Sequence, residues 1–485
     1  SPHDTYTSPL ATRNASPEMC AIWSPRRKFT TWRRIWIGVA RAQRACGLDI
    51  SDEQIAQMEA HAEVTDEDMD LAARYEKELR HDVMAHVHAF GDRCPSAKPI
   101  IHLGCTSQDV VCNADLLIIA DALALTMTKA VRTIDALARF AGEHARTPTL
   151  GFTHYQSAQP VTVGRRAAGW AFDLHQGAER VGSMVEQMRL RGLRGATGTQ
   201  ASFMALLDGD AERIDALERR FTEIVGERAR APYALTGQTY PRVVDTFVLA
   251  DNASIASVLH KIATDIRLLS NRKELDEPFG ASQIGSSAMP YKRNPMKCER
   301  ICGLSRFVMN LVGNAYDTAA TQWLERTLDD SSNRRLSLPE SFLALDGALD
   351  LMHQVASGLV VNEAMVRKNL TEELPFLATE NILMEAVKAG GDRQDLHERI
   401  RVHAQAAGQR VKHEGLDNDL IERLRADDAF ASVHHLLTED ALLDPMRYVG
   451  RSVEQTERFL SEIVEPLRSE YRDALDALGS SDRGV

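Results

Sequence analysis

The feature that most constrains this chain is a set of apolar stripes with helical period, kept up over unusual lengths. From Val244 the apolar positions Phe247, Val248, Ile255, Val258, Leu259, Ile262, Ile266 and Leu269 follow the i, i+3, i+4, i+7 rhythm of one helix face. The segment runs for roughly 25 to 30 residues and predicts a rod about 40 Å long. A second rod is predicted from Asp115 to Ala145, stopped by Pro148. A third runs from about Arg165 to Leu190 and ends at Gly192, Gly195 and Gly198. A fourth opens at Asn294-Pro295, where Asn suits the N-cap and Pro the first helical turn. A single long rod cannot bury its own stripe. Such helices pack as a bundle, and rods of this length usually bury their stripes against partner subunits as well.

Alternating strand patterns are scarce and aromatic residues are only 6%, so the chain is expected to be all-α. With 485 residues it exceeds what one compact core supports. Residues 1–110 are broken by Pro2, Pro9, Pro17, Pro25, Pro95 and Pro99; beyond about 363 the helices shorten, with a break at Gly390-Gly391. Three helical parts are therefore expected: 1–110, a central long-helix bundle over 111–362, and 363–485.

Charge and cysteine usage exclude several function classes. The formal charge is −12, from 57 Lys+Arg and 69 Asp+Glu. An acidic chain does not carry the basic footprint of non-specific nucleic-acid binding, although a pocket can still be locally cationic. Seven dispersed cysteines with no CxxC pair resemble neither a disulfide framework nor a zinc site, so a reducing compartment is expected. The first thirty residues lack an apolar h-region, and the apolar run Leu116–Leu125 is interrupted by Asp121 and reads as far short of a spanning helix. The expectation is a soluble, cytoplasmic protein with no membrane partner.

The most informative stretch is Gly285-Ser286-Ser287-Ala288-Met289-Pro290-Tyr291-Lys292-Arg293-Asn294-Pro295. It packs a Gly-Ser-Ser loop, two cations and a helix start into one segment. The N–H groups of the new helix, with Lys292, are expected to form an anion site. His81 and His88, seven apart, would share a helix face, but their spacing is not a metal-helix motif and no metal is expected.

That stretch resembles the signature of the fumarase/aspartase superfamily, and Tyr291-Lys292-Arg293-Asn294 is similar to the adenylosuccinate lyase branch, animal type. The resemblance extends to Ser8–Arg13, Arg80–Val87, His102–Ser107, Gly151–His154, Gly198–Ser202, Thr236–Thr239 and Glu325–Arg335, and so covers nearly the whole chain. It implies a tetrameric helical core and a cofactor-free β-elimination of fumarate from adenylosuccinate and from the succinylaminoimidazole carboxamide ribotide of purine synthesis. Such a reaction needs a base for a proton on carbon, fixed positive charge for the developing aci-carboxylate, and an acid for the leaving nitrogen.

The resemblance assigns Ser286 as base, held as an alkoxide by Lys292 and loop N–H groups, and His154 as acid. Glu299 could pair with His154 or Lys292. Arg13, Arg300, Ser331 and Arg335 are carried over as contacts to the nucleotide phosphate, ribose or base, and Asn14 stands beside Arg13 where that branch has tyrosine. Arg80, His81, Asp82, Gln238 and Arg326 are further substrate contacts, with Thr106 and Ser107 near the succinyl carboxylates. Arg334 reads as an exposed helix residue. Cys105 and Ser157 replace an alanine and a proline of that branch. Because His154 and Ser286 follow different rods, the resemblance implies active sites shared between subunits. Argininosuccinate lyase, or a non-catalytic scaffold on the same fold, is the alternative.

Overall fold

The computed structural model describes residues 4–226, 231–280, 283–438 and 444–482. In chain order the principal helices are α1 (Pro25–Ala45), α2 (Asp66–Leu79), α3 (Asp82–Arg93) and α4 (Ser107–Glu143). A hairpin follows, β1 (Pro148–Thr153) and β2 (Gln156–Thr162), and leads into α5 (Val163–Gln187), α6 (Ala211–Val225) and α7 (Val243–Asn271). Strand β3 (Leu275–Asp276), helices α8 (Met296–Ala320) and α9 (Asp329–Ser357), and strand β4 (Val360–Val361) complete the central part. The C-terminal part contains α10 (Glu363–Leu377), α11 (Thr379–Lys388), α12 (Arg393–Gln409) and α13 (Ser452–Phe459). The architecture is almost wholly helical, and among the described residues the two sheets have two antiparallel strands each.

Helices α4, α5, α7, α8 and α9 are the rods. Their stripes meet in one core that includes Leu123, Ile134, Leu137, Trp170, Leu174, Ile255, Ile262, Ile266, Phe342 and Leu349. Where glycine faces another helix the approach is closest: a Cβ on Gly164 would lie 2.3 Å from the carbonyl oxygen of Ala141. A second core joins Trp32, Trp36 and Phe90 to Leu190, Phe203, Leu217 and Phe221. A third, holding Ile382, Leu396, Leu424 and Phe430, lies in the C-terminal part. Core membership does not follow sequence order. Leu10 and Met19, from the N-terminal segment, and Phe459 and Leu467, from the far end of the chain, belong to the bundle core.

Helix α4 begins at Ser107 rather than at Asp115, because Thr106 and Asp109 form a reciprocal capping box at its start. With 37 residues and a mean hydropathy of 1.8 over its most apolar window, it is long and apolar enough to cross a membrane, contrary to the reading of Leu116–Leu125 as far short. Two-thirds (67%) of that window is buried against the other rods, which accounts for its composition as a core helix. All seven cysteines are free thiols.

Candidate active site

The two ends of α4 organise the site residues. By helical rise its 37 residues span about 55 Å. Thr106 and Ser107 stand at its N-terminal end, and the β1–β2 hairpin carrying His154 follows its C-terminal end.

At the first end, a buried ion pair ties several loops together. Asp109 accepts from the N–H of Thr106 (2.8 Å) with one oxygen. With the other it accepts from the N–H groups of Arg194 (2.7 Å) and Gly195 (3.1 Å) and from the Arg191 guanidinium. Arg191 also donates to the carbonyls of Gly195 (2.7 Å) and Gly237 (3.0 Å), and both side chains of the pair are fully buried. The next residue, Gln238, donates its N–H to the Glu325 carbonyl at 3.2 Å and accepts from Arg326 at 3.1 Å. Arg191 and Asp109 are thus the joint on which Thr106, Gln238 and Arg326 hang. Sequence reasoning passed over both. The Thr106-x-x-Asp109 capping pattern was a readable signal for the aspartate; Arg191 has none.

His81 caps α3, accepting from the Met84 N–H at 3.3 Å, and its other ring nitrogen lies 3.4 Å from Ser107 Oγ. Arg80 ends α2 in the left-handed region at φ 53°, which forces the sharp corner between α2 and α3. Asp82 is paired with Arg335 at 2.9 Å. His81 is therefore a cap outside the helix, not a face-mate of His88, which instead packs at a tilt against Tyr75. Among the described residues no cluster of His, Cys, Asp or Glu is arranged to hold a metal ion.

Arg334 and Arg335, adjacent in α9, part company. Arg334 is buried, not exposed as its sequence suggested, and is bonded to Asp245 (2.7 Å), Asp115 (3.0 Å) and the Tyr240 hydroxyl (2.5 Å). Arg335 is 60% exposed and faces a cavity that Ser331 and Arg326 also line.

At the other end, Pro148 pairs with Thr162 and Thr153 with Gln156, leaving His154 and Tyr155 as a two-residue turn. Both have positive φ, 53° and 56°, the geometry that hairpin turns normally fill with Asn or Gly. The left-handed conformation costs about 1–2 kcal/mol for each such side chain, strain of the kind that collects at functional sites. Gly151 is obligatory here, since a Cβ would sit 2.3 Å from the Gln159 carbonyl oxygen. His154 itself is exposed.

The Gly285–Asn294 loop is pinched at its neck. Asn294 donates from its side chain to the Gly285 carbonyl at 2.8 Å, and a Cβ on Gly285 would lie 2.1 Å from the Lys292 carbonyl. Within the loop, the Met289 N–H donates to Ser286 Oγ at 3.2 Å. Two expectations are corrected. Asn294 does not cap α8: the helix begins at Met296 with Pro295 at the N-cap position, and the Asn294 side chain donates to Gly285 instead. Nor are the first N–H groups of α8 open to an anion: the buried carboxylate of Glu277 accepts from Lys297 and Cys298, both at 3.0 Å. Glu299, in the same first turn of α8, stands 3.8 Å from Arg267 of its own chain.

Arg13 and Asn14 end a short helical turn, Leu10–Asn14. Asn14 donates from its side chain to the Pro9 carbonyl (2.9 Å), and its own carbonyl lies 2.8 Å from where a Cβ on Gly347 would be. That seats the turn about 27 Å along α9 from its start, by helical rise. Arg13 lies close to Arg300, whose guanidinium pKa is pulled below its ordinary value by burial and then by the charge of Arg13.

Within one chain the observed contacts link the residues in these groups. One contains His81, Asp82, Ser107, Gln238, Arg326, Ser331 and Arg335, a second Arg13 and Arg300, a third Ser286 and Lys292, and the last His154.

The fold is that of known solved structures. A 3-carboxy-cis,cis-muconate lactonizing enzyme from Pseudomonas putida superposes with a TM-score of 0.80 over 94% of this chain and 99% of its own, at 24% identity. A fumarate lyase from Mesorhizobium sp. BNC1 gives 0.79, with the same coverage and identity. In sequence, residues 12–310 match the model of a lyase family and residues 375–459 that of the adenylosuccinate lyase C-terminus. The adenylosuccinate lyase of Saccharomyces cerevisiae is 48% identical over 95% of both chains. That of Schistosoma mansoni is 45% identical over 99% of this chain and 98% of its own. Full-length similarity at this level, joined to the match at each family model, establishes that the chain belongs to the adenylosuccinate lyase family of helical lyases.

Proposed function

We propose that the chain splits fumarate from adenylosuccinate, leaving AMP, and from the succinylaminoimidazole carboxamide ribotide, leaving the carboxamide ribotide. The observation that carries this reading is the 45–48% identity to adenylosuccinate lyases over at least 95% of the chain. In the proposed reaction Ser286 Oγ removes the proton on carbon, with loop N–H donation and Lys292 stabilising the alkoxide. Fixed cations hold the aci-carboxylate, and His154 protonates the leaving nitrogen. Glu299 supports these groups electrostatically. Thr106 and Ser107 hold the succinyl carboxylates, and Arg80, His81, Asp82, Gln238 and Arg326 orient the substrate. Arg13, Asn14, Arg300, Ser331 and Arg335 hold the nucleotide. The residues present supply the charge and proton transfers of an elimination, so the proposal includes no cofactor.

The proposal also covers the setting. The enzyme is a cytoplasmic homotetramer whose sites are shared between subunits, with a segmental organisation 1–110, 111–362 and 363–485. The assembly is supported by large apolar side chains left exposed on the rods and the loop between them, among them Phe247 (49%), Tyr316 (58%), Trp323 (74%) and Leu336 (62%).

Fumarate release from a panel of adenylosuccinate, the ribotide and argininosuccinate tests the reading by absorbance. Turnover of argininosuccinate alone, or of none, would overturn it. Ser286→Ala is expected to abolish turnover while leaving substrate binding largely intact, whereas Lys292→Met weakens both.

A further inference from the structure

A cavity of about 360 Å³ opens on the face of α9 that carries Ser331 and Arg335, and its opposite wall is built by α1. That wall presents Lys28. Every other charged side chain lining the cavity already has a counter-ion. Arg326 is paired with Asp330 (3.1 Å), Arg334 with Asp115 (3.0 Å) and Asp245 (2.7 Å), and Arg335 with Asp82 (2.9 Å). Lys28 makes no ion pair or hydrogen bond through its ammonium among the described residues. Its neighbours there are ring faces: the nitrogen stands 5.2 Å from the centroid of Phe29 and 5.0 Å from that of Trp32.

An ammonium half-withdrawn from water and resting on aromatic faces keeps its charge at a cost that an anionic ligand would offset. The same burial draws the Lys28 pKa below its ordinary value; the charge of Arg335 adds to it, and those of Asp115, Asp82 and Glu76 oppose it. Asp115 does not neutralise Lys28, because its carboxylate is bonded to Arg334. The cavity also holds the Trp23 indole, whose buried N–H has no acceptor among the described residues. Ser331 sits in the first turn of α9, where backbone N–H groups and the helix dipole favour negative charge.

We propose that Lys28 is a further substrate-binding residue, its ammonium pairing with the phosphate monoester of the nucleotide across the cavity from Ser331 and Arg335. This rests on the proposed function for the identity of the nucleotide, but not for the presence of an anion. A phosphate dianion bridging Lys28 and the Ser331–Arg335 wall gives a counter-ion to the one cation of the cavity lining that has none among the described residues.

The test compares Lys28→Met and Lys28→Arg with the unaltered enzyme, using AMP and adenosine as probes in equilibrium calorimetry alongside turnover of adenylosuccinate. Lys28→Met is expected to weaken AMP at least tenfold and to leave adenosine within twofold, with a KM increase that exceeds any fall in kcat. Lys28→Arg is expected to recover most of the AMP affinity. Unchanged AMP binding in Lys28→Met, or equal weakening of AMP and adenosine, would overturn the proposal; equal weakening would mean a packing role. If the unaltered enzyme fails to turn over adenylosuccinate, the functional reading falls, and the AMP-to-adenosine comparison still decides Lys28. Matching thermal melts of the three proteins exclude a folding defect as the cause.

Discussion

Mixing two inactive variants reads out directly whether one active site draws on several chains. The perturbation is His154→Gln in one preparation and Arg326→Ala in the other. Arg326 bonds Gln238, and Gln238 is held through Gly237 and Arg191 to Asp109, in the first turn of α4. His154 lies beyond the other end of that helix. From Asp109 to Glu143 the rise is about 51 Å. The hairpin arm from Pro148 to Thr153 can fold back by at most about 20 Å at the rise of a β-strand. At least about 30 Å therefore lies between His154 and the Asp109 end of α4 to which the Arg326 group is tied within one chain, ten times hydrogen-bond reach. If both act on one substrate, they come from different subunits. Random exchange of equal amounts then leaves a site intact with probability one half for each donor, so about one quarter of normal activity returns. The structure supplies its own control. Arg326→Ala mixed with Gln238→Ala should restore nothing, because those two side chains are in contact within one chain. The assay is fumarate release after subunit exchange, with exchange verified by native mass spectrometry of differently tagged chains. Zero recovery in the first mixture with exchange complete, or recovery in the control, would refute the reasoning.

Three other outcomes follow from the geometry. Arg191→Lys removes the planar fork that reaches Asp109 and the carbonyls of Gly195 and Gly237 together; kcat/KM should drop at least tenfold, mainly through KM, and an unaltered KM would remove Arg191 as a positioning residue. Gly151→Ala drives a Cβ into the Gln159 carbonyl at the base of the His154 turn; turnover should fall at least tenfold with helical circular dichroism intact, and normal kinetics would show that the hairpin tolerates the change. His86 is 6% exposed and stacked on Phe29, and burial, then the charge of Arg33, lowers its pKa to about 4. The unfolded imidazole, at about 6.5, binds a proton that the native one refuses. Its contribution, on the order of 3 kcal/mol, is therefore complete above pH 6.5 and lost as pH falls toward 4. Denaturation at fixed protomer concentration should show a shallower decline from pH 7 to 5 in His86→Gln, and an identical decline would contradict the assignment.

The sequence by itself determined the rods. Apolar side chains at helical spacing bury only if the backbone is helical, so the stripe from Val244 predicted a helix that in the structure spans Val243–Asn271. Motif residues likewise singled out the Gly285–Asn294 loop and the His154 segment. What local pattern could not supply was partnership across long chain separations. Asn294 has the chemistry of an N-cap, but Glu277, about twenty residues earlier, occupies the helix start because β3 delivers its carboxylate there. Arg334 and Arg335 are identical in type and adjacent in sequence. A turn of about 100° per residue buries one beside Asp245 and Tyr240 and leaves the other 60% exposed against Asp82. The joint between Asp109 and Arg191 spans 82 residues and has no periodic signature at all. Periodicity encodes which face of a helix is buried. Which charged group meets which depends on how the rods pack side by side, and only the tertiary structure decides that, because a buried charge is stable only where the fold brings it a partner.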